Sequence, residues 1–424
     1  MLDIKFIREN PKIVKKACKD RGYDVDVDEL LKLDEQYRDS LQKVEKLKHQ
    51  RNTATQEINE LKKAGKPIAS KIKEIKEIPD KINKLEEDIK KLREKMFDIA
   101  SAMPNLPDPA VPVGQDESKN QEVKKKGALP KFSFEPKPHW EIGKNLDIID
   151  IDASIKLSGH GFYVFKGLGA RLERALINFF LDYHTKDGYV ELFPPFLVNK
   201  ETMFGTSQLP KFEQDLYKTT DGMYLIPTAE VPLTNMHRDE TLDFKELPKY
   251  YCAYTPCFRT EAGRHGTETR GIFRLHQFDK VEMVKISLPE HSDKELEDMR
   301  QRAEKLLELL GIPYKTMLLC SGEMSFAASK AYDIEVWSPY QKKYLEVSSC
   351  SNCKDFQARR MNTKFRTPDG NKFVHTLNGS GLALPRLMIS LLECNQLKDG
   401  SVKIPKVIQP YMGGITKIEA KKLL

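Results

Sequence analysis

No stretch of this chain approaches the ~18 consecutive apolar residues that a membrane-spanning helix requires. Its amino terminus, MLDIKFIRENPKIVKKACKDRG, interleaves charged with apolar residues and so has no core of the signal-peptide type. Cysteine is scarce and odd in number. Cys18, Cys252, Cys257, Cys320, Cys350, Cys353 and Cys394 are scattered through 424 residues, which fits reduced thiols better than a disulfide framework. Together these absences predict a soluble, unexported, cytoplasmic protein with no membrane partner. Neither G-x-G-x-x-G after a strand pattern nor G-x-x-x-x-G-K-[ST] occurs, so a doubly wound nucleotide fold is not expected. Neither sign of charge dominates: 70 Lys and Arg stand against 63 Asp and Glu, a formal net charge of +7. That balance permits nucleic-acid binding without requiring it, and where the charge lies matters more than its total.

What is present divides the chain in two. The 39% hydrophobic content can bury at least one large core. Between Leu30 and Lys63 the apolar positions Leu33, Tyr37, Leu41, Val44, Leu47, Ala54, Ile58 and Leu61 run mostly in steps of three and four, a helical seam. After a break at Gly65, Lys66 and Pro67, the positions Ile68, Ile72, Ile75, Ile78, Ile82, Leu85, Ile89, Leu92, Met96 and Ile99 repeat the pattern. Two such helices of nearly equal length bury their seams by folding back into an antiparallel coiled-coil hairpin, an arm of roughly 50 Å. Pro79, inside the second helix, predicts a local bend. Lys43, Lys46, Lys48, Arg51, Lys62, Lys63, Lys66, Lys71, Lys73 and Lys76 outnumber Glu45, Glu57, Glu60 and Glu74 towards the tip. Such a surface is either a solvated face or a phosphate-binding one. The expected organisation is a helical base and arm over 1–101, a Pro-rich and polar linker over 102–137, and a second domain over 138–424.

In that second domain, helical patterns alternate with β-rich segments at Tyr189–Val198, Tyr250–Phe258, Phe273–Val284 and Tyr344–Ser349. They predict an α+β fold on a mainly antiparallel sheet flanked by helices. The densest chemistry lies in Cys257-Phe258-Arg259-Thr260-Glu261, a Gly-containing polar loop from Ala262 to Gly271, and Phe273-Arg274-Leu275-His276-Gln277-Phe278. An Arg and a Glu two apart on a strand share a face. A guanidinium fork suits phosphate, an acid can accept from an adenine amino group, and an aromatic face can stack on a base. Alone, the same Arg-x-Glu on a strand is more often a surface ion pair.

This segment resembles motif 2 of class II aminoacyl-tRNA synthetases in the form typical of seryl-tRNA synthetases. Gly188-Tyr189, Leu192, Pro195, Phe196 and Leu197, after a helix-like Ala170 to Lys186, resemble motif 1, which in the family builds the dimer interface. Gly379-Ser380-Gly381-Leu382-Ala383-Leu384-Pro385-Arg386 resembles motif 3. Three motifs in this order cover, with the arm, essentially the whole chain. The resemblance implies attachment of L-serine to tRNA(Ser) through a seryl-adenylate, using ATP with Mg²⁺, by a homodimer whose arm grips the tRNA. A tRNA(Sec), where the host makes one, is a further implied substrate.

Site residues follow from the same resemblance. Thr228-Ala229-Glu230, Glu282 and Ser380 match the serine pocket, with Arg259 reaching it. For ATP the matching residues are Arg259, Thr260, Glu261, Arg274, Phe278, Glu346, Val347, Ser348, Ser349 and Arg386. Arg259 and Arg386 are the expected catalytic cations, for the α-phosphate and the departing pyrophosphate. Phe278, in preference to the neighbouring Phe273, is the expected stacking ring, and Glu346 and Ser349 are the implied Mg²⁺ ligands. Serine's carboxylate is already ionised, so adenylation needs positioning and charge balance, not a general base. His276 is therefore read as structural. Cys350-x-x-Cys353 lacks a second ligand pair, and zinc is not expected. Glu268 stands where many relatives have Asp. Relatives that load carrier proteins lack the arm. A non-catalytic scaffold would have no need of Arg259, Glu261, Glu282, Glu346 and Arg386 together.

Overall fold

The computed structural model describes residues 1–261 and 271–419, and every side chain within them except that of Glu74. Most of the motif 2 loop, including Glu268, lies outside the described residues. The chain forms two compact units, Met1–Pro104 and Asn105–Leu424.

In the first unit, short helices Ile4–Glu9 and Pro11–Asp20 precede a 37-residue helix, Val27–Lys63. Asp26 starts the long helix by accepting the backbone N–H of Glu29, which satisfies a donor that has no partner within the helix. Asp34, only 2% exposed, holds its root. Its carboxylate accepts two hydrogen bonds from Arg8 at 2.8 and 2.9 Å and one from Arg38 at 3.0 Å. Burial pushes this carboxyl up, yet the two guanidinium partners hold it below its usual value.

Helices Ala69–Ile75 and Ile78–Ser101 return alongside. Lys48 meets Glu86 at 2.7 Å and Lys71 meets Glu57 at 2.8 Å, a pairing that rises in one helix as it falls in the other and so is antiparallel. Val44, Ile78 and Ile82 are buried between the helices with Leu47, Ile75, Leu85 and Ile89 against them. Two expected seam residues depart. Leu41 is 37% and Ile72 47% exposed, because a four-residue step overshoots the helical repeat and carries a side chain to the stripe's margin. The break also falls earlier than a bend centred on Pro79. Lys76 and Glu77 form a turn with right-handed helical backbone, and Pro79 occupies the first turn of the following helix, where its missing N–H costs no hydrogen bond.

The second unit is built on an eight-stranded sheet. Its strands are β1 Gln121–Lys126, β2 Val190–Glu191, β3 Lys249–Phe258, β4 Gln277–Ser287, β5 Tyr314–Leu318, β6 Lys330–Ser338, β7 Lys343–Asn352 and β8 His375–Ala383. They lie in the order β1-β5-β6-β7-β8-β4-β3-β2, antiparallel throughout except where β2 runs parallel to β3. The expected α+β architecture on a mainly antiparallel sheet is therefore the one found. Strand β1 falls inside the stretch that sequence alone reads as a linker. Its basic, exposed composition suits a sheet edge and gives no apolar alternation to betray a strand. The β-rich segment Tyr189–Val198 forms two short strands, β2 and Leu197–Val198, since Pro194 and Pro195 between them have no N–H for a ladder.

Helices Leu168–Lys186, Ser292–Leu310 and Leu384–Cys394 share one core with the sheet, through Leu172, Leu176, Phe180, Met299, Leu307 and Leu391 against Met283, Ile334, Val347 and Leu377. Each such side chain contributes about 1.5–3 kcal/mol when fully buried. Two glycines of β8 allow the approach. A Cβ on Gly379 would lie 2.6 Å from Met299 Sδ, and one on Gly381 2.4 Å from His184 Nε2. The opposite face of the sheet is left to carry chemistry.

Candidate active site

Strand alternation places the first cluster. On β4, Val281 and Met283 enter the helix-side core, so Lys280 and Glu282 point to the other face. Lys280 Nζ lies 2.5 Å from Glu282 Oε2 and donates to Thr228 Oγ1 at 2.9 Å. From β8, Ser380 donates to Glu282 Oε2 at 3.3 Å. Glu230, at the start of the helix Glu230–Thr234, accepts from Gln357 Nε2 at 2.7 Å. Burial, then the neighbouring charge of Glu282, pushes its carboxyl up to about 7, against the opposing influence of Gln357, Lys280 and Arg259. A buried site with two carboxylates and hydroxyl-bearing Thr228 and Ser380 suits a small ligand with an ammonium group and a hydroxyl. Ala229 is wholly buried in a separate apolar cluster with Leu233, Ala253 and Val284, and supports this pocket from behind.

Arg259 stands one residue beyond β3. Its backbone N–H donates to His276 O at 2.9 Å, and His276 Nδ1 donates back to Arg259 O at 3.1 Å. His276 thus fixes the backbone that carries Arg259. The strand ends there, and Glu261 has φ 50°, a left-handed conformation outside any strand. Same-face alternation therefore does not explain why Arg259 and Glu261 meet; the turn brings both to one cavity. Thr260 turns away, its hydroxyl donating to Gln214 O at 2.9 Å.

That cavity is lined by Arg259, Glu261, Arg274, Phe278, Val347 and Arg386, together with Phe273, Lys280, Glu346 and Ser380 among others. Arg274 faces Glu261 at 3.6 Å, and Arg386 faces Glu346 at 3.2 Å while also donating to its backbone carbonyl at 3.0 Å. Two rings carry guanidinium groups: Arg259 lies 5.0 Å from the centroid of Phe278, and Arg386 4.9 Å from that of Phe273. Cations and flat apolar faces line one space, as a purine nucleotide with several phosphates requires.

A bulge in β7 completes it. Residues three apart on a regular strand point to opposite faces. Here the register with β6 shifts between Glu346 and Ser348, so that Glu346 opposes Glu335 and Ser349 opposes Asp333. The extra residue turns Glu346 and Ser349 to the same side. Ser348 falls on the other, its buried hydroxyl donating to Ser380 O at 2.7 Å. Ser349 hydrogen-bonds Asp333, whose carboxyl is driven well above its usual range by burial and then by the charge of Glu346. Asp333 Oδ1 is buried with no hydrogen-bond partner. Glu346, Ser349 and Asp333 are hard oxygen donors on one face, a set that fits Mg²⁺. Cys350 belongs to the helix-side core, where burial pushes its thiol up to about 12.

Sequence reasoning missed Lys280, Asp333 and Gln357 as site residues. Lys280 was the most accessible of the three, since it stands two residues from Glu282 on the same strand. Asp333 and Gln357 are brought in by long-range pairing that no local pattern records.

Comparison with known proteins bears on this geometry. Residues 211–395 match the model of the tRNA synthetase class II core domain (G, H, P, S and T), and residues 1–107 match the seryl-tRNA synthetase N-terminal domain. The chain is 56% identical to the serine–tRNA ligase of Fusobacterium nucleatum, covering 99% of this chain and 100% of that one. It is 51% identical to the serine–tRNA ligase of Methanosarcina barkeri, covering 99% of each. Among solved structures, seryl-tRNA synthetase from Pyrococcus horikoshii complexed with ATP superimposes with a TM-score of 0.94 at 38% identity, over 100% of both chains.

Proposed function

Because the chain belongs to the seryl-tRNA synthetase family, we propose that the cluster around Arg259 is where serine and ATP meet. The chain is an ATP-dependent ligase that attaches L-serine to tRNA(Ser) through a seryl-adenylate. The division of labour among its residues rests on one observation above all. Arg259 joins two environments, a buried two-carboxylate pocket and a cavity of cations and aromatic rings.

In this reading Glu230 and Glu282 take the α-ammonium of serine, and Thr228 and Ser380 its hydroxyl. A pocket that hydrogen-bonds a hydroxyl rejects alanine, while the extra methyl of threonine must be refused sterically. Glu261 accepts from the adenine amino group and Phe278 stacks on the ring. Arg274 is freed from Glu261, and Arg386 from Glu346, to meet phosphate oxygens. Arg259 orients the α-phosphate for attack by the serine carboxylate oxygen and balances the charge that grows there. Arg386 balances the departing pyrophosphate. Mg²⁺ entering with ATP would be held by Glu346 and Ser349 and would supply charge neutralisation at the phosphates. Thr260, Val347 and Ser348 contribute backbone and shape.

The arm is assigned to tRNA. Lys43, Lys46, Lys81 and Lys84 rim one groove between its helices, a placement that suits nucleic-acid phosphates. A homodimer is supported by exposed apolar residues in and beside the edge strand β2, with Phe193 81%, Val190 55% and Leu197 43% accessible. Among the described residues no helix is long and apolar enough to cross a membrane. Cytoplasmic residence and use of tRNA(Sec), where one exists, complete the reading. Serine-stimulated exchange of labelled pyrophosphate into ATP tests it: exchange with serine and not with alanine supports these assignments, and exchange indifferent to the amino acid refutes them.

A further inference from the structure

Gly271 and Ile272, the first described residues after the motif 2 loop, meet His139, which opens the helix His139–Asn145. The wholly buried Ile272 donates its backbone N–H to His139 Nε2 at 3.2 Å. A ring nitrogen that accepts an N–H carries no proton itself, so the ring proton sits on Nδ1, which donates to Glu393 Oε1 at 3.1 Å. The backbone N–H of His139 donates to the same oxygen, also at 3.1 Å. Glu393 Oε2 in turn accepts from Ser338 Oγ at 2.5 Å and from the Tyr340 N–H at 3.3 Å. His139 and Glu393 are both shut off from solvent. Four donors fix the carboxylate, the carboxylate orients the ring, and the ring holds Ile272. Gly271 shows how closely the loop end approaches: its φ is 76°, and a Cβ there would overlap His139 Nε2.

This anchor leads directly into the nucleotide cavity. Phe273 and Arg274 follow Ile272, and both line that cavity, whereas neither His139 nor Glu393 is among its lining residues. The ring of Phe273 carries the Arg386 guanidinium at 4.9 Å and Lys343 Nζ at 5.4 Å from its centroid, and its carbonyl accepts from Arg386 Nε at 3.4 Å. Arg386 and Glu393 stand about two turns apart on one helix, Leu384–Cys394. That single helix therefore grips Ile272 through Glu393 and His139, and Phe273 through Arg386. The serine pocket is held by other bonds, from Lys280 to Thr228, from Gln357 to Glu230 and from Ser380 to Glu282.

We propose that His139 is a positioning residue for ATP: accepting at Nε2 and oriented by Glu393, it sets the backbone at Ile272 and so the places of Phe273 and Arg274 in the nucleotide cavity. The inference rests on the ATP assignment above and adds a residue that acts from outside the cavity. Groups that orient a reacting phosphate tolerate displacements well below 1 Å, on the order of 0.5 Å, and depend on the residues that lock them.

Two amides divide the ring's functions in the full-length protein. In His139→Gln the side-chain oxygen can reach the place of Nε2 and accept from Ile272. In His139→Asn the side-chain nitrogen can take the place of Nδ1 and donate to Glu393, but nothing reaches Ile272. Each loses one buried hydrogen bond of the ring, so both should unfold at a lower temperature than wild type. KM values for ATP and for serine are read from serine-dependent pyrophosphate exchange. The expected result is a rise of about ten-fold in the KM for ATP in His139→Asn and of no more than about three-fold in His139→Gln, with the KM for serine unchanged in both. Should His139→Asn fail to fold, replacement of Ile272 by its α-hydroxy acid carries the same test. That change turns one amide into an ester, removes the N–H and no side chain, and should raise the KM for ATP as His139→Asn does. A wild-type KM for ATP in His139→Asn or in the ester would overturn the inference. So would an equal rise in the two amide variants, or a parallel rise in both KM values, which loosened structure alone produces. Exchange absent from the wild-type protein would remove the ATP assignment itself, whereas normal wild-type exchange beside any of those results removes this inference alone.

Discussion

Lys280 Nζ lies 2.5 Å from Glu282 Oε2, with both side chains almost wholly buried on one face of β4. Removing one partner of a buried pair leaves an uncompensated charge, whereas replacing both is far milder. Lys280→Met is expected to destabilise the second unit by about 3–5 kcal/mol, read from denaturant midpoints, and to raise the KM for serine. Lys280→Met with Glu282→Gln should recover more than half of the stability but none of the serine affinity. A single substitution without effect on stability would show that the pair is solvated.

Glu230 gives serine binding a pH dependence. Burial and Glu282 raise its carboxyl to about 7, with Lys280, Arg259 and Gln357 acting against them. The α-ammonium binds the ionised form, so below that value a proton must leave before serine can be held. Serine affinity should therefore increase as pH rises through about 7, and binding should release protons. Calorimetry in buffers of different ionisation enthalpy measures that release. Glu230→Gln should abolish it and cost on the order of a hundred-fold in affinity, the loss of a buried charge-assisted hydrogen bond. Proton uptake on binding would contradict this account.

The bulge at Glu346–Ser348 predicts a metal-dependent phenotype for Ser349. Ser349→Ala removes an oxygen from the face shared with Glu346 and leaves Asp333 without its hydroxyl donor. Adenylation should fall roughly 10–100-fold at limiting Mg²⁺, the usual cost of disturbing a metal's surroundings, and partly recover at high Mg²⁺. Ser348→Ala, one residue away on the other face, should show no such Mg²⁺ dependence.

How much of this was written plainly in the chain depends on the range of the interaction. The arm is legible because its seam repeats locally, and β3 and β4 because aromatic and β-branched residues crowd into them. Arg259, Glu282 and Arg386 stand out through motifs that short stretches carry whole. What failed to show has a common cause. Strand β1 has no alternation, the φ of Glu261 cannot be read from its neighbours, and the bulge that aligns Glu346 with Ser349 exists only in pairing with β6. Asp333 and Gln357 enter the site from distant sequence, so only the folded sheet reveals them.

The arm's lysines should matter to tRNA and not to adenylate. Replacing residues 30–99 with a short linker is expected to spare serine-dependent exchange and to reduce charging severely. Substituting Lys43, Lys46, Lys81 and Lys84 by Ala should raise the KM for tRNA and lower the slope of log affinity against log salt by about one for each phosphate that a lysine no longer neutralises. Equal loss of exchange and charging would refute this division.

Arg259 bears the most weight, since it joins the carboxylate pocket to the nucleotide cavity and lies 5.0 Å from the ring centre of Phe278. The most direct test is serine-dependent pyrophosphate exchange by Arg259→Ala, with folding checked by thermal unfolding. Loss of one preorganised charge-stabilising group predicts a fall of about 10²–10³-fold or more in a protein that unfolds normally. Exchange retained at the wild-type rate would contradict the account.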